Sequence, residues 1–307
     1  MIQKTLTSFD LKQIADSGQC FRMLPAAEAP HTYTVISGQH FLKAAQDDQT
    51  VTFFCEPEEL SFWERYFDLD TDYDAFRKAV NPRDAYLKRA ADFGQGIRIL
   101  RQDPWEMIIT FIISQQQTIP SIRRRVEGLS HTYGSRLPIP GDFYSFPSPE
   151  QLAAASLEDL ISMKLGYRAK YIKRVCEDAC SGRLDLSHLG SLSYEDAMDY
   201  LTGFYGIGEK VANCICLFGL HHIDAFPVDT WIRKILMNRY APKSRLPKDL
   251  PQSRVCEALI QKHFSRYRGF AGVMQQYIFY YERNAGEELH GPSCPDFLPT
   301  TNSLPSS

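Results

Sequence analysis

The chain has no apolar run approaching the roughly 20 residues that a bilayer-crossing helix needs, so membrane insertion is not expected of its 307 residues. Its first residues, Met1 to Ser8, show neither an apolar core nor a small-residue cleavage site, and an intracellular rather than secreted protein is expected. Cysteine is scattered. Eight are present without any pair of Cys-x-x-Cys units, which argues against zinc, and a reducing compartment makes a disulfide framework improbable. Cys176/Cys180 and Cys214/Cys216 have helical spacings that read as packing positions. A strong excess of one charge is missing too: the formal net charge is −3, a poor match to a polyanionic partner unless the charge is unevenly spread.

It is unevenly spread. Residues 1–103 carry 12 Lys and Arg against 16 Asp and Glu, residues 104–280 carry 21 against 17, and residues 281–307 carry 1 against 4. The basic excess is densest at Arg123-Arg124-Arg125 and at Lys164, Arg168, Lys170, Lys173 and Arg174, which taken alone read as solvated helix faces. From about Ser8 to Glu56 the runs Thr32–Ile36 and Thr50–Phe54 predict strands of a small antiparallel sheet. From Pro57 onward the period becomes helical, with starts at Pro57, Pro104, Pro149, Ser156, Ser193 and Asp229. The expected class is α+β, with a mainly β N-terminal domain over 1–103 that turns helical at its end. It packs on an all-α body over 104–290, followed by a Pro/Ser/Thr-rich tail, 291–307, expected to be disordered.

The most informative stretch runs from Leu201 to Cys214 and continues at Phe226-Pro227-Val228-Asp229. Gly206 and Gly208 flank Ile207, which lets the backbone turn tightly and present its N–H groups, and the apolar run Val211–Leu220 reads as a helix starting there. Such a turn suits a phosphate. Lys210 lies in the first turn, where the positive end of the dipole disfavours a charged amine, and Asp229 offers a carboxylate partner. Asp229 also precedes Thr230-Trp231-Ile232 and reads equally as a helix N-cap.

These motifs resemble the helix-hairpin-helix (HhH-GPD) DNA glycosylases, and within them the 8-oxoguanine DNA glycosylase/AP lyases. The likeness rests on Gly206-Ile207-Gly208-Glu209-Lys210-Val211-Ala212-Asn213-Cys214 with Pro227-Val228-Asp229. It extends to Ser17-Gly18-Gln19-Cys20-Phe21-Arg22 and Leu165-Gly166-Tyr167-Arg168-Ala169-Lys170-Tyr171, and it covers about residues 10 to 283. It implies a bifunctional enzyme of base-excision repair, acting as a monomer on double-stranded DNA containing oxidised guanine, without a dissociable cofactor. If the protein is bacterial, it implies a cytoplasmic, nucleoid-associated location. The carbonyls of Thr202, Phe204 and Ile207 are candidates for a structural monovalent cation.

The resemblance also assigns roles. Lys210 is the nucleophile that expels the base and forms a Schiff base, and Asp229 stabilises the developing positive charge. The Gly18 carbonyl accepts the extra N–H of 8-oxoguanine, Cys214 and Phe279 sandwich the base, and Gln275 meets its Watson–Crick edge. Gln116 fills the vacated stack, Arg168 meets the opposite base, and Gly206, Ile207 and Gly208 hold backbone phosphate. The second arginine usual beside Arg168 is here Ser121, which is expected to weaken a preference for cytosine. For Cys214 and Phe279 the bland alternative is core packing, and Gln275 reads equally as a surface helix residue. Rival functions are an alkylpurine glycosylase on the same scaffold and a non-catalytic DNA-binding module.

Overall fold

The structure, a computed structural model, describes residues 1–27, 29–247 and 249–290; the tail expected at 291–307 lies outside the described residues. Five antiparallel strands form one sheet: β1 (Ile2–Thr5), β2 (Met23–Pro25), β3 (Thr32–Ser37), β4 (His40–Asp47) and β5 (Thr50–Phe54), in the order β1-β5-β4-β3-β2. Val35, Leu42, Ala44, Val51 and Phe53 are buried on one side of it. They share a core with Leu11 and Ile14 of α1 (Leu11–Asp16) and with Trp63, Tyr66 and Phe67 in and after α2 (Pro57–Tyr66). Burying each Val, Leu, Ile or Phe side chain there stabilises by about 1.5–3 kcal/mol, and this apolar face fixes the strand register. The sheet starts earlier than the β-rich region read from sequence and includes β4, which was not singled out there.

The body is helical: α3 (Tyr73–Lys78), α4 (Ala85–Phe93), α5 (Pro104–Ile113), α6 (Ile119–Tyr133), α7 (Pro149–Ala153), α8 (Leu157–Leu160), α9 (Arg168–Cys180), α10 (Leu186–Ser191), α11 (Tyr194–Thr202), α12 (Glu209–Phe218), α13 (Thr230–Ile235), α14 (Val255–Phe264) and α15 (Ala271–His290). Every residue of α5 from Trp105 to Ile113 is buried, as expected of a helix apolar all round. Asp103 caps it by accepting the Glu106 N–H (2.8 Å), with Pro104 at its first turn. Helix α12 packs antiparallel to α5. A Cβ on Gly219, after the end of α12, would lie 3.3 Å from Pro104 Cα, while Lys210 at its start meets Ser114 just after α5.

Gln19 latches the N-terminal segment to the body. Its amide donates to the Arg98 carbonyl and accepts the Leu100 N–H, both at 2.8 Å, and its own carbonyl accepts Gln102 Nε2 at 2.9 Å. The buried Arg98 guanidinium donates to the carbonyls of Phe67, Asp68 and Thr71. Cys176 is buried as its spacing suggests, whereas Cys180 is exposed at the end of α9. The helix read as Val211–Leu220 begins two residues earlier, because Gly208 serves as its N-cap.

Candidate active site

The Gly206 turn exists because only glycine fits. Its φ is +90°, and a Cβ there would lie 2.3 Å from Cγ of Tyr171 in α9. Gly208, at φ −91°, caps α12 without a side chain, and a Cβ there would meet open space. No side chain caps the first turn of α12, so its leading N–H groups face outward at the positive end of the helix dipole. Ile207 is buried behind the turn and anchors it, its N–H bonded to the Phe204 carbonyl at 3.1 Å. Of the three carbonyls offered to a cation, that of Phe204 thus already has one partner.

Lys210 is half-buried at the second position of α12. Its Nζ donates to Ser114 Oγ at 3.1 Å and lies 5.5 Å above the Phe111 ring; Ser114 Oγ in turn donates to the Phe111 carbonyl at 2.8 Å. Cys214, one helical turn on, is buried close to the Lys210 amine. Burial pushes its thiol up to about 11, against the lowering effect of the lysine charge. Asp229 accepts the Ile232 N–H at 2.8 Å, so it does cap α13. Burial raises its pKa, while the Ile232 N–H and the Lys210 charge pull the other way. One amine, one thiol and one largely desolvated carboxylate therefore share a site. An arrangement of this kind can support nucleophilic attack by the amine, with a carboxylate to face any positive charge that develops.

The residues assigned to the base converge from three distant segments. Gly18, at φ +78°, is so close to α15 that a Cβ on it would lie 3.1 Å from Phe279 Cε1 and 3.3 Å from Ile119. Phe279 is half-buried, with the Arg283 guanidinium 5.3 Å from its ring centre. Gln275 is only 3% exposed, which removes the surface-helix alternative. Its Nε2 donates to the Pro227 carbonyl (3.3 Å) and its Oε1 accepts from Gln276 (2.9 Å), so it braces the loop that carries Asp229.

The turn after α5 holds the remaining group. Gln116 is exposed with φ +52°, an uncommon left-handed conformation for a side-chain-bearing residue. Gln115 beneath it donates to the Gly206 carbonyl at 3.1 Å, tying this turn to the hairpin. Arg168 is 5% exposed: Nε donates to the Gln115 carbonyl (2.9 Å), Nη1 to that of Leu165 (3.2 Å), and the guanidinium lies 4.4 Å from the Tyr167 ring centre. It buttresses the turn rather than projecting from the surface. Sequence reasoning did not find Ser114 or Arg283. Arg283 follows Phe279 by one helical turn and was legible in principle, whereas the Ser114–Lys210 contact spans 96 residues with no local signal.

Residues 1–108 match the family model of the 8-oxoguanine DNA glycosylase N-terminal domain, and residues 109–261 match that of the HhH-GPD superfamily of base excision DNA repair proteins. The N-glycosylase/DNA lyase of Saccharomyces cerevisiae is 33% identical over 70% of this chain, which spans 64% of that relative. The N-glycosylase/DNA lyase OGG1 of Arabidopsis thaliana is 31% identical over 94% of the chain and 81% of its own length. The Clostridium acetobutylicum 8-oxoguanine glycosylase/lyase, solved with double-stranded DNA containing cytosine opposite 8-oxoguanine, superimposes with a TM-score of 0.81 at 34% identity, covering 91% of this chain and 93% of that one. The chain belongs to the HhH-GPD superfamily of base excision DNA repair proteins, in the branch that carries the 8-oxoguanine DNA glycosylase N-terminal domain.

Proposed function

We propose that this protein excises 8-oxoguanine from duplex DNA and then nicks the abasic strand, with Lys210 as nucleophile and Asp229 as electrostatic partner. The observation that carries the reading is the Lys210 amine held 3.1 Å from Ser114 Oγ, beside a half-buried carboxylate and directly behind a phosphate-ready hairpin. Base release must begin with extrusion of the nucleotide, for which the exposed Gln116 at the turn beside the hairpin is the group that enters the gap. Attack of the neutral amine on C1′ expels the base. Loss of the ring oxygen bond then gives a protonated Schiff base, which acidifies C2′–H and permits β-elimination of the 3′ phosphate. Gly18, Phe279 and Cys214 line the space for the base, and Gln275 offers the remaining N–H of its amide to the Watson–Crick edge. One chain supplies every group named, which supports action as a monomer, and the substrate supports an intracellular location.

Borohydride trapping tests this. A covalent protein–DNA complex is expected on an 8-oxoguanine duplex and is expected to vanish in Lys210→Gln. Base release without trapping would instead point to water as the nucleophile.

A further inference from the structure

Extruding a nucleotide leaves its partner base unpaired, with the Watson–Crick edge turned toward whatever protein group occupies the gap. The arginine assigned that role by resemblance, Arg168, has its guanidinium spent on the carbonyls of Gln115 and Leu165 and is almost fully buried. Position 121, where a second arginine was missed in the sequence, is serine. The structure puts another guanidinium on that serine. Arg125, one helical turn further along α6, donates through Nη1 to the Ser121 carbonyl at 3.0 Å and to its hydroxyl, and through Nε to the Lys164 carbonyl at 2.9 Å. Ser121 Oγ donates in turn to Gln117 Oε1 at 2.7 Å, so Arg125 is linked to the residue next to Gln116.

Two features make this guanidinium available. Among the described residues no protein acceptor takes the Nη2 hydrogens of Arg125, so two of its five N–H donors are unused. The backbone that holds it is also set in unusual conformations, Lys164 at φ +61° and Gly166 at φ +56°, next to Tyr167, which is 43% exposed. Burial and the neighbouring charges of Arg168 and Arg124 lower the pKa of Arg125, which marks this as a crowded cationic corner.

We propose that Arg125 is the specificity-determining residue that reads the base opposite the lesion, its free Nη2 donating to the bare ring nitrogen N3 of cytosine. Thymine carries an N–H at N3 and meets the Nη2 donor with another donor, so a guanidinium held in place by the Ser121 and Lys164 carbonyls discriminates where a mobile point charge would not. This inference rests on the proposed glycosylase activity. It turns the loss of arginine at 121 from a loss of discrimination into a relocation of the donor by one helical turn.

The test measures single-turnover excision from duplexes with 8-oxoguanine opposite each of the four bases, for wild type, Arg125→Ala and Arg125→Lys. It adds equilibrium binding to duplexes with a tetrahydrofuran abasic analogue opposite the same bases. Wild type is expected to favour cytosine, and both variants are expected to lose about 10-fold of the cytosine-over-thymine ratio, within the range of one hydrogen bond from a charged donor. Arg125→Lys keeps the charge and the surface stem, and it is expected to bind the cytosine duplex more tightly than Arg125→Ala while discriminating no better. An equal drop on all four duplexes, an unchanged ratio in the variants, or a wild type indifferent to the opposite base would overturn the assignment. Failure of wild type to release 8-oxoguanine from any duplex would instead sink the functional reading on which it stands, and the analogue-binding arm still reports the ratio independently of chemistry.

Discussion

Asp229 caps a helix and, in the proposed mechanism, also supplies a catalytic charge, and a single substitution separates the two. As an N-cap it accepts the Ile232 N–H at 2.8 Å, and asparagine caps a helix about as well as aspartate. As a charge it is largely desolvated, and burial raises its pKa above the ordinary 3.8 despite the opposing effects of the Ile232 N–H and Lys210. A carboxyl with a native pKa above its unfolded one binds its proton more tightly when folded. Its contribution is therefore most favourable below the unfolded value and is lost as pH rises through the native one. At neutral pH the ionised group costs stability. Asp229→Asn should thus melt no lower than wild type at pH 7.5, while Asp229→Ala, lacking the cap, should lose about 1 kcal/mol. Both should lose about 10²–10³ in single-turnover base release, roughly 2.7–4 kcal/mol, the usual cost of removing one preorganised electrostatic group. The wild-type acid limb should lie above the ordinary aspartate range and be absent in the Asn variant. Wild-type rates in Asp229→Asn, or a melting loss in step with the activity loss, would reduce Asp229 to a structural cap.

Gly206→Ala puts a Cβ 2.3 Å from Tyr171 Cγ and 2.6 Å from its Cβ at φ +90°, so rotating the ring cannot relieve the clash. A loss of about 3 kcal/mol and weaker DNA binding are expected by chemical denaturation and titration, against about 1 kcal/mol or less for Gly208→Ala in open space. Glu106, buried in α5, is pushed up to about 8 by burial, so the wild type should lose stability as pH rises from about 4.5 to about 8. Glu106→Gln should flatten that dependence and gain up to roughly 4 kcal/mol above pH 8, as read by melts across the pH series. Asp68 is the reverse case. Burial would raise its pKa, but the His221 hydrogen bond and charge, Thr71 and Arg101 together hold it below the ordinary range, so its stabilisation is present above pH 3.8 and fades as pH falls below it. Asp68→Ala should cost about 2–3 kcal/mol at pH 7, since the Tyr73 hydroxyl and His221 lose their acid acceptor, and a near-neutral result would show that water replaces it.

What could be read from the sequence was whatever a residue does through its own backbone. Gly206 announced the hairpin because its turn tolerates little else, and Asp229 announced α13 because a cap acts within three residues. Pro57, Pro104 and Pro149 marked helix starts for the same reason. Strand β4 was missed because its Lys43-Ala44-Ala45-Gln46 segment has no β-branched residue; it is held as a strand by pairing with β3 on one side and β5 on the other. Ile161–Leu165 reads as ordinary helix yet forms a widened turn ending with Lys164 at φ +61°. The Arg125 guanidinium on the Lys164 carbonyl, 39 residues away, helps to hold it there. Family resemblance supplied Lys210, but its setting came from contacts of long sequence separation: Ser114 across 96 residues, and Gln275 bracing Pro227 across 48. Local chemistry thus names the groups that react, while their aim is set by polar contacts whose partners no window of sequence contains. Ser121 follows the same logic. Read alone it is a donor lost from one helical position, whereas in the fold its carbonyl and hydroxyl hold the guanidinium of Arg125 from the next turn of the same face, a contact that position 121 by itself does not announce.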